Sequence, residues 1–303
     1  MSDRNLSGKQ PSSGLTFNGV SEVNMNAAPL PPSRKVPTLR ERVVPFVISF
    51  VSVVVVFGFL WVVITSAEQW PRIQLQFFHG PAIREAFPNV LRGFLINMRV
   101  WIIALVAIAI WALVLAIFRS LNGPWFAPLR VFSIVYIDLF RGMPSLLLVL
   151  VFGFGVPALQ IPGLPRTSLF WGATAMIMSY SAYAAEVYRS GMEAVHDGQK
   201  AAAKALGLTQ WQTLQYAIVP QAVRNVLPAL LNLAVALQKD VALLSVVGVR
   251  DAVREAQIYT ARTFNYSSLI AAAILFLFAT IPMARLTDYV ARKDRERRLQ
   301  RTV

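Results

Sequence analysis

The sequence predicts an all-α protein, a polytopic bundle of about six transmembrane helices. Of its 303 residues, 56% are apolar and only 15% are charged, whereas soluble domains have about 45–50% apolar and roughly 25% charged residues. Apolar runs of about 20 residues, which are long enough to cross the hydrocarbon core of a bilayer, recur along the chain. Membrane-spanning strands do not fit, because they are only about 10 residues long and alternate in polarity.

Six apolar runs define the predicted spans. The first two carry no charge, and the helix of the second is expected to begin near Val90. The third is interrupted by Asp138 and Arg141, and the fifth, the least regular, carries Lys239 and Asp240. In chain order, the runs are 43–67, 100–118, 131–158, 167–185, 225–249 and 264–283.

The net charge of +14 indicates a membrane protein rather than a nucleic-acid-binding one. The Lys and Arg residues do not lie on a soluble face interleaved with aromatics, so no nucleic acid is expected as a partner. Most of the 29 precede the first span or lie in 119–130, in 189–224 and after 284. Because short cytoplasmic segments are enriched in Lys and Arg, we predict a multi-pass membrane protein with both termini in the cytoplasm.

Side chains suited to catalysis or metal binding are scarce. The chain has no cysteine and two histidines, His79 and His196, which argues against metal centres built from thiolates or imidazoles. Neither Gly-rich phosphate-binding motif, GxxxxGK[ST] or GxGxxG, occurs. We therefore expect no catalytic residue, no metal and no cofactor on this chain, and a membrane-embedded enzyme is disfavoured.

Polar segments flank the apolar runs. Residues 1–42 are rich in Ser, Asn and Pro and are predicted to form a disordered cytoplasmic tail. Residues 287–303 are strongly basic and are predicted to form a second cytoplasmic tail.

The polar connection between the fourth and fifth spans is unusually long. Residues 199–206 are Ala-rich and predict a short helix. Asp197 lies at its positive end, and Gly207 suits the left-handed position that closes it. Residues 209–212 (TQWQ) have the form of a capping box and predict a second short helix, and Pro220 suits the first turn of the next span. The two short helices, arranged in an L, are predicted to form a docking element. The alternative is an amphipathic hairpin that lies on the lipid surface.

Several segments resemble one family of membrane proteins. Residues 198–207 (GQKAAAKALG) followed by 218–222 (IVPQA) resemble the EAA loop of ABC-importer permeases, in the form found in the polar amino acid uptake family of histidine-, glutamine- and arginine-type permeases. Residues 136–144 (YIDLFRGMP) and 181–189 (SAYAAEVYR) are similar to two further segments of that family. Residues 227–245 are similar to the sequence of its fifth span.

The chain departs from the family pattern in the loop motif and in the number of spans, among other positions. The acidic residue that heads the loop motif in the family is Ala201 here. The family core has five spans, so 43–67 is interpreted as an additional N-terminal transmembrane helix. The core is then expected at 88–286, with its coupling loop at 187–224.

The resemblance implies a permease subunit of an ATP-driven amino acid importer in the bacterial inner membrane. Two permease copies, or one copy and a homologue, would form the translocation path. A dimer of a separate cytoplasmic ABC ATPase, which binds ATP and Mg, would receive the loops, and a periplasmic or lipid-anchored binding protein would deliver the amino acid. The alternative is an ion-coupled secondary transporter of small polar solutes, which would often show internally repeated halves and broken helices.

The resemblance also implies roles for loop residues. Gly207 would set the angle of the loop helix, and Ala202, Ala203 and Leu206 would fill a groove of the ATPase. The full set of coupling candidates is Ala201, Ala202, Ala203, Leu206, Gly207 and Pro220.

Charged and polar side chains in or next to the spans are the candidates for the substrate path, because such groups usually face protein or a watery cavity. The set is Asp138, Arg141, Tyr183, Glu186, Asn232 and Lys239. Asp138 and Arg141 are three residues apart, which predicts that they share a helix face and pair. The alternative is that the charges within the spans only hold helices together.

Overall fold

A computed structural model describes residues 39–195 and 197–300. Every regular element in these ranges is helical, which confirms the predicted all-α fold class. The α-helices are α1 (Leu39–Thr65), α2 (Trp70–Phe77), α3 (Gly80–Ser120), α4 (Ala127–Gly142), α5 (Ser145–Leu150), α6 (Val156–Ala158), α7 (Ser168–Glu193), α8 (Asp197–Ala205), α9 (Gln210–Gln212), α10 (Val219–Asp240), α11 (Ala252–Thr263) and α12 (Ser267–Gln300). Two 3₁₀ segments (Pro124–Phe126, Val241–Val247) and two π segments (Val151–Gly155, Thr213–Ile218) complete the described elements.

α1 forms a unit of its own. Its side chains are exposed throughout residues 43–64, although almost all of them are apolar. A helix that is apolar on every side is typical of a membrane span. The predicted tail 1–42 lies outside the described residues up to residue 38, and residues 39–42 are the first turn of α1.

Length and composition identify the membrane spans of the described residues. In 39–195 and 197–300, four helical runs qualify, namely Val43–Thr65, Trp70–Ser120, Gln210–Val247 and Ser267–Asp294, and a bent helix pair makes a fifth if it counts as one span. α7 has 26 residues and is about 39 Å long at a rise of 1.5 Å per residue, but its Ser, Tyr and Gly residues lower its hydropathy. The count of six therefore stays a prediction.

The third predicted span is not one straight helix. The run 131–158 breaks after Gly142, and the two helical parts are bent by 101°. Met143, which precedes Pro144, adopts an extended conformation (φ −97°, ψ 138°), as favoured by a proline ring, which disfavours the helical conformation in the residue before it. The π segment Val151–Gly155 interrupts the second part as well.

α7 is the central helix of the second unit and packs against α3, α4, α5 and α10. Its small side chains are almost fully buried, with Ala175, Ala182, Ala184 and Ala185 at most 2% exposed. Without a hydrophobic driving force in lipid, small residues allow helices to approach closely and gain van der Waals contact. The polar composition of α7 thus follows from its position inside the bundle.

α3 and α12 extend well beyond their predicted apolar runs. α3 begins at Gly80, ten residues before the expected start. α12 continues to Gln300, so the predicted basic tail is helical over most of its length. Residues 301–303 and His196 lie outside the described ranges.

Candidate functional site

The loop between α7 and α10 contains one short helix, α8, with a complete C-terminal cap. Gly207 has φ +75°, which confirms the predicted left-handed position. The Gly207 N–H donates to the Lys204 carbonyl (2.9 Å), and the Leu208 N–H donates to the Ala203 carbonyl (3.2 Å). These two bonds define a Schellman motif. Because a side chain at position 207 would have open space but a strained backbone, Gly207 fixes the direction in which the chain leaves α8.

The predicted capping box follows immediately. Thr209 Oγ1 accepts from the Gln212 N–H (3.3 Å), and Gln212 Oε1 accepts from the Thr209 N–H (2.9 Å). The expected second short helix is wrong as a separate element, because α9 continues through the π segment into α10 as a single helical run, Gln210–Val247. Pro220 lies in the first turn of α10, where its missing N–H costs nothing. The loop is therefore one short helix followed by the extended end of a span.

The coupling candidates divide into an outer and an inner face. Ala201 and Ala202 are exposed, and Leu206 is 80% exposed. Ala203, however, is only 5% exposed, since α8 packs against the π segment Thr213–Ile218. The prediction that Ala203 fills a groove of a partner is therefore corrected, because this side chain belongs to the face that α8 presents to its own chain.

Charged side chains at the end of α7 form a network that joins three helices. Glu186 Oε2 lies 3.0 Å from Arg119 Nη1 on α3 and 3.9 Å from Arg141 Nη1 on α4. Glu186 Oε1 lies 2.5 Å from Arg189 Nη2, and Arg189 also pairs with Glu193. The Glu186 side chain is 24% exposed, so solvent screens its ion pairs less than it screens pairs on an open surface.

The network fixes the charge of its central carboxylate, which lies just beyond the apolar run 167–185. The hydrogen bonds from Arg189 hold the pKa of Glu186 below its ordinary value, against the opposing effect of burial, and the charges of Arg189, Arg119 and Arg141 add to this effect. The same bonds raise the pKa of Arg189. Glu186 is therefore an anion at neutral pH.

Three of the six predicted path residues meet in this network. The Arg141 guanidinium carbon lies 5.7 Å from the ring centre of Tyr183, within the range of a cation–π contact. The Tyr183 hydroxyl donates to the Arg141 carbonyl (3.3 Å). The predicted pairing of Arg141 with Asp138 is wrong, since the ionic partner of Arg141 is Glu186 on another helix.

The other three path candidates, Asp138, Asn232 and Lys239, are exposed and are not part of this network. Next to Lys239, Asp240 accepts a 2.7 Å hydrogen bond from the Tyr180 hydroxyl, which joins α10 to α7.

The sequence-based set missed Arg119 and Arg189. The spacing of three residues between Glu186 and Arg189 is a readable pairing signal. Arg119 had none, because its partner is 67 residues away. Within the described ranges, no group of three His, Asp or Glu side chains is arranged to hold a metal ion.

Comparison with known proteins assigns the chain to a family. Residues 124–296 match the family described as the inner membrane component of binding-protein-dependent transport systems. The chain belongs to this family, which confirms that the resemblance of the loop to importer permeases is genuine. It is a multi-pass membrane protein.

Curated relatives span most of the chain. It is 32% identical over 209 residues to the arginine transport system permease protein ArtQ of Bacillus subtilis (strain 168), which covers 68% of this chain and 92% of that protein. It is 30% identical over 222 residues to the glutamate/aspartate import permease protein GltK of Escherichia coli O6:H1, with 71% and 98% covered.

Solved structures show the same architecture. The crystal structure of an amino acid ABC transporter with histidines matches with a TM-score of 0.60 and 29% identity, over 68% of this chain and 94% of that one. An inward-facing structure of the MetNI methionine ABC transporter matches with a TM-score of 0.57 and 15% identity, over 67% and 95%, and supports the fold alone.

Proposed function

We propose that this chain is the transmembrane permease subunit of an ATP-driven amino acid importer and that α8 is its coupling helix. The relatives are named for arginine and for glutamate/aspartate transport, and the structural neighbour at 29% identity is an amino acid transporter. The observation that carries the assignment of α8 is its geometry, which combines an exposed face with a fixed C-terminal end. ATP and Mg belong to a partner ATPase rather than to this chain.

The outer face of α8 suits recognition by a groove. The side chains of Ala201 and Ala202 are small, so a partner surface can approach the helix axis closely, and Leu206 supplies an exposed apolar contact. A short helix seated in a groove is a common recognition mode. In this proposal each of two ATPases receives one α8.

The way α8 is joined to the bundle supports transmission of a displacement. The Schellman motif and the capping box leave little freedom between residues 205 and 210, and the helix that follows is continuous into α10. α10 in turn lies against α7, where a Cβ on Gly191 would be 2.3 Å from Val226 Cγ1. A movement of α8 would therefore be passed to two helices of the core, as in other switches built from packed elements.

The network around Glu186 is the proposed part of the substrate path. An amino acid carries an ammonium and a carboxylate, which need an anion and a cation close together. Arg141 and Glu186 provide both, and Tyr183 adds a ring and a hydroxyl. Asp138, Asn232 and Lys239 are proposed to face the path from positions nearer a second permease subunit, which would be a copy of this chain or a homologue.

The remaining parts of the proposal concern partners and orientation. A periplasmic or lipid-anchored binding protein would deliver the amino acid on the outer side. The positive-inside distribution of Lys and Arg supports a cytoplasmic α8 and cytoplasmic termini in the bacterial inner membrane.

Gly207→Val tests the coupling role of the loop. The β-branched side chain strains the left-handed backbone and would redirect α8. With the ATPase and binding protein reconstituted in vesicles, ATP-dependent amino acid uptake should fall roughly 5–150-fold, the range of typical coupling free energies, while assembly persists.

Gly163→Val is the matched control for that experiment. Gly163 also has a positive φ (+83°) and open space around it, but it lies between α6 and α7. Its replacement should leave uptake nearly unchanged. Equal uptake by the two variants would contradict the coupling role.

A further inference from the structure

A cationic groove lies between the loop and the bundle. It has a volume of about 690 Å³, and it is lined by the end of α3, the end of α7, α8 and residues 208–218. Four of its lining residues are cations (Arg119, Arg189, Lys200 and Lys204), and Glu193 is the carboxylate among them. The groove therefore favours an anion by charge.

The two walls contribute cations in different ways. On the bundle side, Arg119 gives one N–H group to Glu186 and keeps further donors of its guanidinium for another acceptor. On the loop side, Lys200 pairs with Asp197, whose side chain is 93% exposed, and such an exposed pair is weak. Lys204 forms no ion pair with any residue in 39–195 or 197–300. Hydrogen-bond donors that can bind a further acceptor thus remain on both the bundle side and the loop side of the groove.

A residue that lines the groove carries a buried hydroxyl without a hydrogen-bond partner. Thr213 lines the groove and is only 6% exposed. Its Oγ1 makes no hydrogen bond within the described part of the chain. A buried hydroxyl without a partner is costly, so positions of this kind favour a bound group that completes the bond. This observation is independent of the charges.

We propose that this groove binds a phosphate group, carried by an anionic lipid or free in solution, that bridges the bundle and α8. A phosphate offers several oxygens to which Arg donates in fork geometry and Lys as a point charge. Arg119 holds it from the bundle and Arg189 adds its positive charge, Lys200 and Lys204 hold it from α8, and Thr213 donates its hydroxyl. Occupancy then fixes α8 against the bundle, which gives the membrane or the cytosol an influence on the loop beyond its proposed role in coupling.

The test uses the purified full chain, first in micelles with increasing phosphatidylglycerol or phosphatidylcholine, and then with inorganic phosphate against chloride at equal ionic strength. We expect phosphatidylglycerol or inorganic phosphate to bind saturably and to raise the unfolding midpoint of the chain. Binding of phosphatidylglycerol but not inorganic phosphate assigns the site to a lipid headgroup, and binding of inorganic phosphate assigns it to the free ion.

Two variants separate the groove from general surface charge. Lys204→Gln should weaken binding by about tenfold, as expected for the loss of one charge-assisted bond. Lys293→Gln, which removes an exposed lysine of α12, should leave it unchanged. Thr213→Val should also weaken binding, yet should not lower the midpoint without ligand, because it removes an unpartnered polar atom.

Equal effects of the two lysine variants, or no saturable binding of either probe, would overturn the proposal. A Thr213→Val chain that is destabilised without ligand would also overturn the assigned role of the hydroxyl.

Discussion

α8 and α7 are consecutive helices that are stabilised in opposite ways. α8 buries only Ala203, and bonds between residues at most five positions apart hold its end. α7 is buried along much of its length, and its polar end is held by Arg119 and Arg141, which are distant in sequence. Changes in α8 should therefore alter coupling with little loss of stability, whereas changes in α7 should lower stability first.

The largest effect is expected at the contact of α7 with α10. In Gly191→Ala the added Cβ would lie 2.3 Å from Val226 Cγ1 and 3.0 Å from the Ala222 carbonyl oxygen. Overpacking of this kind lowers the free energy of unfolding by roughly 1–3 kcal/mol, which denaturant unfolding in micelles would measure. Gly142→Ala is the control, since its Cβ would meet nothing within 4 Å. Equal stability of the two variants would show that α7 and α10 are not in close contact.

Glu186→Gln should have the next largest effect. It leaves Arg119, Arg141 and Arg189 without their shared anion, and the loss should be about 1–3 kcal/mol, between the values for exposed and for buried ion pairs. Glu193→Gln is the control, because the Glu193 side chain is 64% exposed and its loss should change stability by less than about 0.5 kcal/mol. If both variants unfold alike, the network does not hold α7 in place.

Loss of the capping box should act locally. Thr209→Ala removes the acceptor for the Gln212 N–H and should destabilise the start of this helix by about 1 kcal/mol. Hydrogen exchange of the 210–212 amides should become faster, while the global unfolding midpoint hardly moves. Thr209→Ser keeps the hydroxyl and should exchange like the parent. A fall in global stability would mean that the loop is not held locally.

The smallest expected effect is the loss of the stabilisation by Glu186 at acidic pH. Because the folded pKa of Glu186 lies below its ordinary value of 4.5, its contribution to stability is complete well above pH 4.5 and is lost as the pH falls through the folded pKa. The difference in unfolding free energy between the parent and Glu186→Gln should thus be constant from pH 8 to 6 and should shrink under acid. A difference that grows on acidification would contradict the direction of this shift.

The sequence predicted the loop better than the bundle, for a physical reason. The cap at Gly207 and the box at Thr209 depend on residues within a few positions, so their signals are local. The partner of Arg141 is Glu186, 45 positions away in the numbering, and helix spacing alone favoured the neighbouring Asp138. The burial of Ala203 likewise depends on how α8 folds back on its own chain.

Two other differences between the predicted and the observed helices have different causes. The break at Met143–Pro144 was readable from the restriction that proline places on the preceding residue, but the apolar run concealed it. The continuity of α9 with α10 depends on the π segment Thr213–Ile218, for which sequence gives no signal comparable to a cap.

We propose that the exposed face of α8, and not its inner face, contacts a cytoplasmic ATPase. Since the chain contains no cysteine, Leu206→Cys and Ala203→Cys can each be labelled with a membrane-impermeant thiol reagent in inside-out and right-side-out vesicles. The account predicts that Leu206→Cys reacts only in inside-out vesicles and is protected when the ATPase is bound, while Ala203→Cys reacts poorly in both. Labelling of Leu206→Cys from the outer side, or labelling that the ATPase leaves unchanged, would contradict the claim.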